Sequence, residues 1–208
     1  MPFSSLSLRI AGALAVVAAL GAAVSGADNA ASRQNIFLDA ASSEVDYKKN
    51  TVEFKDIVIS QGDIKVEANH AEAEATGLNF KTGVWTFTGD VRIHVEKRGN
   101  LRSDQAVVDF KDSQIVKATV TGKPAQFEQQ RTSSDQLARG HAGQIVYEPT
   151  DGVVRLSNDA WISDGRNEIR GALLVYNIRQ QHVEAVAQPG TDERVHITIV
   201  PGQDVKPK

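Results

Sequence analysis

Trp85-Thr-Phe87-Thr-Gly89-Asp-Val91-Arg-Ile93 decides the fold. Apolar and polar residues alternate on both sides of Gly89-Asp90. Trp85, Phe87, Val91, Ile93 and Val95 point one way; Thr86, Thr88, Asp90, Arg92, His94 and Glu96 point the other. This is a strand with one face buried and the other in water. The same pattern, apolar-x-apolar-x-turn-x-apolar-x-apolar, recurs at Val154-Arg-Leu156-Ser-Asn158-Asp-Ala160-Trp-Ile162. It recurs more loosely at Ala118-Thr-Val120-Thr-Gly122-Lys-Pro124-Ala-Gln-Phe127. A fourth copy, Val52-Glu-Phe54-Lys-Asp56-Ile57-Val-Ile59, lacks one residue after Asp56. The turn positions Asp56, Gly89, Gly122 and Asn158 lie about 33 to 36 residues apart. A period of that size marks repeated strand pairs that bury their apolar faces only by stacking on one another. The shared interior is either packed solid or holds a guest.

Outward from these modules the chain continues as strands and turns. Ile36 to Ala40 opens the series, followed by Thr51 to Ser60 and Asp63 to Ala75, where Ile64, Val66 and Ala68 share a face. Leu78 to Gly83 is a predicted loop. Further strands are expected over Leu101–Phe110, Ile115–Gln130, Leu137–Tyr147, Val153–Asp164, Glu168–Asn177, His182–Ala187 and Arg194–Val200. Arg98-Gly-Asn100 and Glu148-Pro-Thr-Asp-Gly152 carry turn chemistry, and Arg131 to Gln136 is a polar loop. Glycine within a strand marks a bulge or bend. Bends recurring in register at Gly89 and Gly122 predict layers that all curve in one sense.

Both ends of the chain fall outside this pattern. Arg9 precedes an apolar run, Ile10 to Val24, and Ser25-Gly26-Ala27 offers small residues to a signal peptidase. Residues 1–27 therefore read as a secretory signal cleaved after Ala27, with export to the periplasm. A retained segment would instead tether the protein to the inner membrane. Residues 28–35 form a polar N-terminus, 36–200 the folded domain, and 201–208 a polar tail expected to be disordered. Without Arg9 the chain carries a balance of about −4, from 26 acidic side chains and the remaining basic ones. That balance argues against a general nucleic-acid binder. The chain has no cysteine, so burial and sheet hydrogen bonding must stabilise it without disulfides.

No residues assemble a catalytic or metal-binding signature. His70, His94, His141, His182 and His196 fall in different strands without metal-ligand spacing. P-loop, dinucleotide and nucleophile-elbow motifs are absent from the sequence. The expectation is a non-enzymatic protein without cofactor or metal. What stands out is the apolar set, which includes Ile36, Leu38, Phe54, Phe87, Ile93, Phe127, Tyr147, Leu156 and Ile162. A closed sandwich core accounts for it, and so does a trough left open to an acyl chain. Burying each methylene of such a chain is worth about 0.8 kcal/mol, so a trough needs no specific motif to bind lipid firmly.

Several stretches in order carry a resemblance: Phe87 to Val91, Ser60-Gln-Gly62-Asp-Ile64-Lys-Val66-Glu-Ala68, Gly122-Lys-Pro-Ala-Gln-Phe127, and Gly140-His-Ala142-Gly-Gln-Ile-Val-Tyr147. Val154 to Ile162, Asn167-Glu-Ile-Arg-Gly171 and Tyr176 complete the series. From about Ile36 to Val200 the chain resembles the lipopolysaccharide-transport periplasmic protein family, LptA or OstA-like. The resemblance implies an antiparallel β-jellyroll of stacked, bent strands forming a V-shaped trough. It implies that the trough shields the lipid A acyl chains of lipopolysaccharide between the inner and outer membranes. The implied partners are lipopolysaccharide, further copies stacked end to end, and inner- and outer-membrane transport proteins with related jellyroll domains. The family is not enzymatic, its energy coming from a cytoplasmic ATPase. Ile36, Leu38, Phe54, Phe127 and Tyr147 match its trough-lining positions, while Phe87, Ile93, Leu156 and Ile162 are added from strand parity. Asp56 stands directly before Ile57, where the family has Gly-Asn, which leaves the facing of Val58 open. The longer stretch from Ile64 to Gly122 allows a paralogue, with a structural or adaptor role and no lipid, as the alternative.

Overall fold

The computed structural model describes residues 35–75, 82–112, 114–130, 137–177, 180, 182–187 and 194–201. The expected signal peptide with its cleavage site after Ala27, the N-terminal segment up to residue 34, most of the 78–83 loop, the 131–136 loop and the tail from 202 lie outside the described residues.

Alternation of period two over long stretches produces long strands. The sheet begins with β1 (Phe37–Asp39), β2 (Ser42–Asp46), β3 (Thr51–Gln61) and β4 (Ile64–Ala75). It continues through β5 (Gly83–Val95), β6 (Gly99–Lys111), β7 (Gln114–Gln130) and β8 (Leu137–Glu148). It ends with β9 (Val153–Ser163), β10 (Glu168–Asn177), β11 (His182–Val186) and β12 (His196–Thr198). All twelve belong to one antiparallel sheet in which β3 to β10 follow one another in chain order. The architecture is an all-β, antiparallel jellyroll, without helix among the described residues, and its sheet does not close into a barrel. Its end layers are split. β1 and β2 both pair β3, and β11 and β12 both pair β10.

The turn positions of the repeated module lie inside strands. Asp56, Gly89, Gly122 and Asn158 fall within β3, β5, β7 and β9, and the period of 33 to 36 residues is that of a full hairpin. Register shifts run across the sheet at this level, between Glu67 and His70, Thr88 and Val91, Thr121 and Ala125, His141 and Gln144, and Gly171 and Leu173. Asp56, Gly89, Asp90, Asn158 and Asp159 have φ between 48° and 76°, the left-handed backbone that bulges draw from Gly, Asn and Asp. The recurrent bends expected at Gly89 and Gly122 are thus part of a line of bulges that crosses the sheet from the β4–β5 pair to the β9–β10 pair.

That line explains the burial pattern. In β5 the odd residues Trp85, Phe87, Val91, Ile93 and Val95 are buried on both sides of the Gly89-Asp90 bulge. β3 has no extra residue, so its inward set changes from Val52 and Phe54 to Ile57 and Ile59. Val58, whose facing the sequence leaves open, alternates with these two. The halves present separate inner rows. One runs Val52, Ala73, Trp85, Val108, Ala118, Tyr147, Val154, Tyr176 by direct pairing from β3 to β10. The other runs Ile59, Val66, Ile93, Leu101, Phe127, Gly140, Ile162, Ile169. Small residues beside large ones in each row let the facing rows interdigitate.

Candidate functional site: an apolar cavity between the half-sheets

Three aromatic rings of the first half-sheet cluster at its β3–β5 end. Trp85 stacks between Phe54, at 5.9 Å between centroids, and Phe87, at 5.8 Å. Across from them lie Ile59, Ile64, Val66 and Ile93 of the other half. Between the two sets is a cavity of about 670 Å³, bounded further by Val52, Ala106, Val108, Phe110 and Ile115, and by Ile36, Leu38, Ser43, Val45 and Gln61 at the β1–β2 end. Residues on both sides of the bulge line face the same space, so the sheet is folded there into a trough. The volume falls in the range of small-molecule sites, about 300–1,000 Å³.

Only Ser43 and Gln61 among the lining residues are polar, and none is charged. The interior therefore offers no neutralising partner for a phosphate or carboxylate, and a charged group taken inside would lose its hydration uncompensated. An amphiphile fits with its hydrocarbon inside and its charged end at the rim. The rim is exposed at the sheet's first edge, where Ile36 is 65% accessible, Leu38 39% and Val45 40%.

The other end is filled. Phe127, Leu156 and Ile162 are at most 1% accessible and Tyr147 is 5%. Burial there pushes the Tyr176 phenol up from its ordinary value. Of the nine residues singled out from the sequence, Ile36, Leu38, Phe54, Phe87 and Ile93 line the cavity. Phe127, Tyr147, Leu156 and Ile162 belong to the packed core beyond it. Ile59, Ile64, Val66, Trp85 and Val108 line the cavity without having been singled out. Trp85 shares the parity of Phe87 and Ile93, Ile59 lies beyond the parity reversal at Asp56, and parity alone does not say which end of the sheet stays open.

The outer face carries paired polar residues. Arg92 donates to Asp90, which raises the guanidinium's pKa from its ordinary value, chiefly through that hydrogen bond. Lys65 pairs with Glu67 at 2.7 Å, and His94 with Asn100 at 2.6 Å. His141 stacks on Trp161 at 5.2 Å. Among the described residues no group of three His, Cys, Asp or Glu side chains is placed to hold a metal ion.

A sequence profile of the LptA/(LptD N-terminal domain) LPS transport protein family matches residues 70–182. The lipopolysaccharide export system protein LptA of Escherichia coli (strain K12) is 29% identical over 136 residues, covering 64% of this chain and 71% of that one. The lipopolysaccharide export system protein LptH of Pseudomonas aeruginosa is 28% identical over 140 residues, covering 66% and 77%. The crystal structure of that organism's LptH, titled the LptA homologous periplasmic component of a lipopolysaccharide transport device, aligns over 81% of this chain and 96% of its own. It does so at a TM-score of 0.42 and 23% identity. The profile match takes in more than half of the chain, from the middle of β4 to the start of β11. The chain belongs to the LptA/LptD N-terminal domain family of lipopolysaccharide transport proteins.

Proposed function

We propose that the protein is a periplasmic carrier that shelters the lipid A acyl chains of lipopolysaccharide in its apolar cavity on the way from the inner to the outer membrane. The observation that carries this reading is the cavity of about 670 Å³ with no charged lining residue and an exposed apolar rim. Each methylene moved from water into it contributes about 0.8 kcal/mol, and the sugar and phosphate groups stay in solvent. Family membership supports lipopolysaccharide as the source of those chains. No catalytic step is required.

The two split end layers supply the contacts of a bridge. One edge exposes Ile36, Phe37 and Leu38, the other Ile197, Ile199 and Val200. Unpaired strand edges add strands from a neighbour. A head-to-tail contact between unlike edges generates an open chain of copies, and related jellyroll domains of inner- and outer-membrane transport proteins would extend it.

The closed far half favours a second reading, an adaptor of the same fold that carries no lipid. The chain has two tryptophans, Trp85 beside the cavity and Trp161 on the outer face. Trp161→Phe therefore leaves one fluorophore at the site. Titrating lipopolysaccharide into this variant should shift Trp85 emission saturably. An unchanged emission across the whole titration would favour the adaptor.

A further inference from the structure

The cavity is open at one end and walled at the other. Ile59, Val66 and Ile93 pair in succession across β3, β4 and β5, and all three line it. The next residue in that row, Leu101 on β6, pairs directly with Ile93. It is 1% accessible and does not line the cavity. Behind it, Phe127 pairs with Leu101 and is equally buried. On the facing half-sheet, Ala106 lines the cavity but its β7 partner Val120 does not, and the lining reaches β7 only at Ile115, the partner of Phe110 at the strand end.

Resting on the acyl-chain reading above, we infer that Leu101, backed by Phe127, is the end wall that sets the length of chain the protein accepts. Along the half-sheet that carries Leu101, the slot spans three inter-strand spacings from β3 to β6, about 14 Å. Methylenes added to a chain inside the slot each raise affinity by about fourfold. A methylene that would run past Leu101 must stay in water or displace packed core, so it adds nothing. Leu101 is thus a specificity-determining residue, and the protein would sort lipids by acyl length through a packing contact alone.

The test is calorimetric binding of saturated fatty acids from decanoic to octadecanoic acid, below their aggregation limits, to the wild-type protein, Leu101→Ala and Ile93→Phe. Circular dichroism melts verify that each variant is folded. Ile93→Phe points into the cavity, so it tests the idea even where Leu101→Ala unfolds. In the wild type, affinity should climb about fourfold per methylene and then level off. Leu101→Ala should move the levelling point to chains at least two methylenes longer, and Ile93→Phe to shorter ones. A levelling point that stays put in folded variants overturns the end wall and leaves acyl binding standing. Absence of saturable binding for every chain overturns both.

Discussion

The ring of Phe127 covers Gly140 so closely that a Cβ on Gly140 would lie 2.4 Å from two ring carbons. The two are direct partners between β7 and β8, and the backbone oxygen of Trp161 closes the same space at 2.9 Å. Gly140 is therefore required for the space it leaves, and the largest side chain of its row occupies that space. This contact closes the far half of the trough while the near half stays open.

Gly140→Ala should overpack this core and cost about 1–3 kcal/mol, a fall in melting temperature of about 2–4 °C per kcal/mol for a chain this size. Phe127→Ala alone should cost about 3–5 kcal/mol by leaving a cavity. The double variant should be more stable than the sum of the two, because the methyl then has room. Denaturant titration of the four proteins measures the coupling, and strict additivity would contradict the contact.

A bulge residue carries a different constraint. Gly89 has φ +76°, and a Cβ there would approach the Asn69 side chain to 2.9 Å. Gly89→Ala should lose about 1–2 kcal/mol to the left-handed backbone alone, with the contact adding to it. Asn69→Ala in the same chain should recover only the contact part. Full recovery would show that the backbone conformation is not fixed by the bulge.

Ser103 places a hydroxyl inside the second half-sheet, with no hydrogen-bond partner for its buried oxygen among the described residues. An unsatisfied buried hydroxyl costs about 1–3 kcal/mol. Ser103→Ala should therefore hold or raise stability, by up to about 1 kcal/mol. A loss larger than that in a chemical melt would reveal a bonded hydroxyl.

At the last edge, Ile199 and Val200 are about half accessible, and among the described strands β12 pairs β10 alone. Ile199→Asp with Val200→Asp should shift stability by no more than about 0.5 kcal/mol, as exposed changes do. The same change should shorten end-to-end assemblies in sedimentation velocity. Unaltered assembly would remove this edge from the bridge contact.

Much of the architecture was legible in particular residues. The alternation around Trp85 and Ile93 identified β5, and the glycines Gly89 and Gly122 marked bends that the register shifts at Thr88/Val91 and Thr121/Ala125 place inside β5 and β7. β2 went unrecognised because Ser42-Ser-Glu-Val-Asp46 offers a single apolar residue, Val45, and pairs at an edge where solvent tolerates polar side chains. Val58 was left open because an absent bulge residue in β3 reverses parity, which only the pairing of Ile57 with Ala68 and Ile59 with Val66 resolves. The candidate site was legible only as an apolar face. Ile93 and Phe127 lie on that face two strands apart, one beside space and the other sealed. The difference comes from what faces each residue across the fold, a tertiary property that no local pattern encodes.

The most direct measurement of lipid carriage is in-cell photocrosslinking with a photoreactive residue at Val66, inside the cavity, and at Thr86, which alternates with Trp85 and Phe87 on the opposite face. The account predicts lipopolysaccharide adducts at Val66 and none at Thr86. Adducts at Thr86 with none at Val66 would contradict it.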